Sequence, residues 1–86
     1  MKKEFVISNE QGLHARPATT LVSKANQFSA NVILRYEGET VDLKSIMGVL
    51  SLGIDRGALI EIEIEGEDEA EAMEALTKHI KELNVN

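Results

Sequence analysis

The chain has 86 residues, no cysteine, and a net charge of −6 from fifteen acidic against nine basic side chains. That balance offers no concentration of Lys and Arg to displace counterions from a nucleic acid or to hold an anionic membrane surface. The missing cysteines remove disulfide scaffolds and thiolate metal sites. With an aromatic fraction of 3% against 43% hydrophobic, the core must be aliphatic, and one domain over 1–86 is expected. No apolar stretch approaches transmembrane length or the apolar core of a signal peptide, so a soluble cytoplasmic protein is expected.

Glu4 to Ser8 reads as the first strand, with Phe5 and Ile7 on one face, followed by a turn at Asn9-Glu10-Gln11-Gly12. Ala18, Leu21, Val22 and Ala25 recur at helical spacing, predicting a helix from Ala15 to about Gln27. Pro17 falls in its first turn, where a missing N–H costs nothing. Arg16, Thr20 and Lys24 repeat every fourth residue as a polar stripe. Asn31–Tyr36 and Thr40–Leu43 alternate around Glu37-Gly38 as a hairpin.

Ser45 to Leu52 is a short, apolar, helix-compatible run, and Gly53 and Gly57 bracket the loop after it. From Leu59 to Glu65, Ile60, Ile62 and Ile64 alternate with Glu61, Glu63 and Glu65. Three carboxylates on one face cannot be buried, so the sheet has one wet face and one covered by helices. A last helix runs from about Glu69 to Leu83 on the apolar stripe Met73, Leu76, Ile80 and Leu83, with Asp68 and Glu71 as a capping-box pair. The order β-α-β-β-α-β-α predicts an α+β open-faced sandwich: a four-stranded antiparallel sheet with three helices on one face. A similar order occurs in ferredoxin-like ligand-binding domains, so function has to come from the site.

His14 stands where a turn hands over to a helix, inside Gly12-Leu13-His14-Ala15-Arg16-Pro17-Ala18. Unpartnered N–H groups at a helix start favour an anion. A neutral imidazole beside them keeps a nitrogen lone pair for nucleophilic attack, and Arg16 can offer a forked donor to phosphate oxygens. The plain alternative is a histidine at a helix start with no role. His79, near the end of the last helix, reads as a solvated residue complementing the helix dipole, and no metal site is expected. Ser45 opens the short helix, where an N-cap role alone explains it. A phosphate there would also be favoured electrostatically. Ile46, Met47, Val49, Leu50 and Leu52 spread over more than half of that helix, leaving an apolar rim suited to docking other proteins.

The segments at 12–18, at 44–53 (Lys-Ser-Ile-Met-Gly-Val-Leu-Ser-Leu-Gly) and at 66–72 (Gly-Glu-Asp-Glu-Ala-Glu-Ala) resemble the HPr family, the histidine-containing phosphocarriers of the bacterial sugar phosphotransferase system. The resemblance covers nearly the whole chain. It implies that His14 accepts a phosphoryl group on Nδ1 from enzyme I and passes it to sugar-specific enzyme IIA, with Arg16 as the active-site arginine. Ser45 would match the serine modified by HPr kinase/phosphorylase in many Gram-positive bacteria, a mark that promotes binding to a catabolite-control transcription regulator. Thr20, Lys24, Ile46, Met47 and Val49 would form the docking surface. The protein would be a monomeric carrier without cofactor, holding a transient phosphohistidine, and not a turnover enzyme. A serine-only paralogue is disfavoured by His14, and the intact Lys-Ser-Ile-Met-Gly run looks more like the sugar branch than the nitrogen-related one. The alternative from a different class is a non-catalytic regulatory or ligand-binding module.

Overall fold

A computed structural model describes residues 1–85. The elements are β1 (Lys2–Val6), α1 (Ala15–Ala25), β2 (Asn31–Tyr36), β3 (Glu39–Asp42), α2 (Ile46–Ser51), β4 (Leu59–Glu65) and α3 (Glu69–Asn84). The sheet is antiparallel throughout, in the order β1-β4-β2-β3. The three helices cover the face to which Ile60, Ile62 and Ile64 point, and Val32 and Leu34 add to that face from β2. The architecture is the α+β open-faced sandwich expected from the residue pattern.

On the uncovered face, Arg35 of β2 straddles two carboxylates of β4, at 3.0 Å from Glu61 and 2.6 Å from Glu63. The pairing raises the Arg35 pKa and holds the Glu63 carboxyl below its ordinary range, in both cases mainly through their hydrogen bond. The glutamate row is thus partly neutralised across strands.

Several boundaries differ from expectation, β3 running Glu39–Asp42 instead of Thr40–Leu43 among them. β1 begins at Lys2, because an edge strand tolerates lysines and Lys2 pairs opposite Glu63. Ile7 leaves the β1 ladder but still exchanges bonds with the loop before β4 (Ile7 N–H to Ala58 O, 2.9 Å). α1 stops at Ala25, where Asn26 Nδ2 donates to the Val22 and Lys44 carbonyls and ties the helix end to the segment before α2.

The capping box at α3 does not form. Asp68 makes no side-chain cap; its carboxylate accepts from Ser29 N–H, Ala30 N–H and Ser29 Oγ in the α1–β2 connection. Those bonds, led by the Ser29 amide, hold its pKa below the ordinary carboxylate value. A carboxylate that finds two amides across the fold gains more than one capping its own helix. Among the described residues, no helix is long and apolar enough to cross a membrane.

Candidate functional site

His14 is the N-cap residue of α1, extended in backbone and with no side-chain cap bond. Its imidazole is therefore not spent on the helix start. No acidic residue lies in the first turn, so no carboxylate of that turn repels an arriving anion, while Pro17, without an N–H, offers it no donor. Ala15 has φ +47, a left-handed conformation for a residue with a Cβ. Such a conformation costs about 1–2 kcal/mol and persists only where its surroundings impose it.

Among the described residues the ring has one protein partner, which sequence reasoning missed. His14 Nε2 lies 2.8 Å from Asp55 Oδ1, with the histidine side chain 43% and the aspartate 82% exposed. A carboxylate only accepts, so the neutral ring carries its proton on Nε2, leaving the lone pair on Nδ1.

Backbone contacts bring the two loops together. Leu13 N–H donates to Ile54 O at 2.9 Å. Gly12, at φ +60, comes so close that a Cβ would sit 2.4 Å from Ile54 O and 2.9 Å from Asp55 Cα. With Leu13 hooked to Ile54, the next residue of each loop is His14 and Asp55. No spacing signal marks this pair, which is 41 residues apart.

Arg16 is exposed and, among the described residues, has no hydrogen bond or ion pair that would restrain its guanidinium. It lines a cleft of about 430 Å³ with Gln11, Pro17, Thr20 and Leu83 among others. Thr20 sits in the same cleft and is bonded to His79 Nε2 at 3.1 Å. His79 is therefore not a solvated helix-end residue. It bridges α3 to α1, and burial, followed by the Lys24 charge, lowers its pKa. Lys24 lines the neighbouring groove with His79 and Glu82.

Ser45 is the N-cap of α2, its Oγ accepting from Gly48 N–H at 3.1 Å. Along α2, Met47 is 75% and Leu50 40% exposed, while Val49 is fully buried. Val49 as a docking residue is corrected: one face of so short a helix must anchor it, and Val49 is on that face. Ile46 is half-buried against the core. The apolar rim is thus Met47 and Leu50, flanked by Ile46. Among the described residues, no group of three or more His, Cys, Asp or Glu is placed to hold a metal ion.

A family model described as the PTS HPr component phosphorylation site matches residues 1–82. The structure resembles that of HPr-C-His from Thermoanaerobacter tengcongensis at 37% identity and TM-score 0.96, covering 100% of this chain and 97% of the other. It also resembles the phosphocarrier protein HPr of Bacillus anthracis str. Ames, at 44% identity and TM-score 0.88 over 92% and 94% of the two chains. A third similar structure is a swapped-domain dimer of Crh, a catabolite repression protein of Bacillus subtilis, at 38% identity and TM-score 0.75 over 94% and 93%. With its fold and nearly its full length matched, the chain belongs to the HPr family of phosphocarriers of the phosphotransferase system.

Proposed function

We propose that this protein accepts a phosphoryl group on His14 Nδ1 from enzyme I and delivers it to sugar-specific enzyme IIA. The observation that carries the reading is the ring itself. It is partly exposed at a helix start, with Nε2 engaged by Asp55 and Nδ1 left as the nucleophile. In the step, the Nδ1 lone pair forms the new P–N bond while the donor's bond to phosphorus breaks, its electrons leaving with the donor. The Nε2 proton stays in place. Arg16, unrestrained and on the first turn, reaches the phosphoryl oxygens and neutralises part of their charge. A site with few fixed donors suits a group that must leave again.

Met47, Leu50 and Ile46 on α2, with Thr20 and Lys24 on α1, form the surface both partners use in turn, in complexes of modest area. Ser45 is the regulatory site: its phosphate would place about two negative charges beside the Met47–Leu50 rim. That modification would hinder docking and favour a catabolite-control regulator instead. The carrier works in the cytoplasm as a monomer, which light scattering at working concentration distinguishes from dimers like that of Crh.

The test is incubation with phosphoenolpyruvate and enzyme I from the same organism. One acid-labile phosphate is expected on the wild type and none on His14→Ala. Equal labelling of the two would refute the assignment. ATP and a cognate HPr kinase should add an acid-stable phosphate lost in Ser45→Ala; a wild type left unmodified removes the regulatory part.

A further inference from the structure

We infer that Asp55 is a positioning residue for His14, holding the imidazole in the one tautomer that presents Nδ1 to phosphorus. The inference rests on the phosphocarrier reading and deepens it. A neutral imidazole carries its proton on either nitrogen, and only the Nε2–H form leaves a lone pair on Nδ1. The Asp55 carboxylate, 2.8 Å from Nε2, selects that form. Its place is built into the backbone: the Leu13–Ile54 bond and the bare Cα of Gly12 bring the two loops side by side.

Asp55 also acts after transfer. Once Nδ1 has given its lone pair to phosphorus and Nε2 keeps its proton, the ring is a cation, and Asp55 faces that charge from the side away from the phosphoryl group. The onward partner takes the phosphoryl group and the electron pair returns to Nδ1, so no proton has to move in either direction. Because the Asp55 side chain is 82% exposed, it can be replaced without unfolding the protein.

The experiment combines imidazole nitrogen-15 NMR of the unphosphorylated protein, at about pH 9 where ordinary imidazoles are neutral, with the phosphotransfer rate. Wild type should show the Nε2–H form. Asp55→Ala should move both ring nitrogens toward a tautomer mixture and slow transfer about two- to fivefold, the range of exposed polar pairs. Asp55→Asn, whose Oδ1 still accepts from Nε2–H, should keep the wild-type ring signals. Unchanged ring signals in Asp55→Ala, or an unchanged transfer rate, overturns the inference. A wild type that takes no phosphoryl group overturns the carrier reading itself, a result told apart because the ring measurement needs no phosphate.

Discussion

Gly12→Ala should be among the most damaging loop substitutions in this protein, and Gly53→Ala is its control. Both glycines have φ +60. A Cβ at Gly53 meets nothing within 4 Å, whereas one at Gly12 would lie 2.4 Å from the Ile54 carbonyl oxygen. The left-handed conformation alone costs an L-residue about 1–2 kcal/mol, which is the whole effect expected at Gly53. At Gly12 the obstacle is backbone, so relief requires moving the 54–55 segment and weakening the Leu13–Ile54 bond, for a further loss of about 1–2 kcal/mol. For a domain of this size each kcal/mol moves Tm by about 4–8 °C. Gly12→Ala should thus fall about 8–32 °C and Gly53→Ala roughly half as far, read by circular dichroism melting and by urea midpoints at constant m. Equal losses in the two variants would refute the argument that close approach, and not backbone freedom, is what residue 12 supplies.

Ser45→Ala should cost about 1 kcal/mol through loss of the bond to Gly48 N–H, and Ser45→Gly less, as denaturant melts can check. Val49→Ala should lower stability by about 1–3 kcal/mol, whereas Met47→Ala should leave the melting curve unchanged and weaken transfer to partners, since Val49 is buried and Met47 exposed. The Asp68 carboxyl is held below its ordinary value by the Ser29 and Ala30 amides, so its stabilisation is complete above about pH 4 and is lost as pH falls through the lowered folded value. Tm of Asp68→Asn should therefore lie below wild type at neutral pH and converge on it in acid; a constant gap would contradict this. His79, whose pKa is lowered by burial, stabilises the fold above the ordinary imidazole range, near 6.5, and that contribution declines as pH drops below it. A His79→Gln variant should show a flatter Tm profile between about pH 7 and 5 than wild type.

The fold was legible because its signals are local. Ile60, Ile62 and Ile64 alternating with glutamates state a one-sided sheet, and Ala18, Leu21, Val22 and Ala25 state the face of α1. The place of His14 at the start of α1 was legible for the same reason, since a helix start and a histidine are read together over a few residues. What stayed hidden depends on contacts between distant segments. Asp55 lies in a glycine-bracketed loop with nothing to tie it to residue 14, and the tie is a backbone hook at Leu13 and Ile54. Asp68 looked like a cap because its neighbours follow the capping pattern, but amides at 29 and 30 arrive from the other end of α1. Val49 was misread because the apolar arc of α2 is wide, and periodicity alone does not say which part of a wide arc meets the core.

The central claim is that phosphorus joins one particular nitrogen of one ring. Nitrogen-15 and phosphorus-31 NMR of the phosphorylated, isotopically labelled protein reads this directly. The account requires phosphorus bonded to Nδ1 of His14 with Nε2 still bearing hydrogen and facing Asp55. Phosphorus on Nε2, or on any residue other than His14, would contradict it.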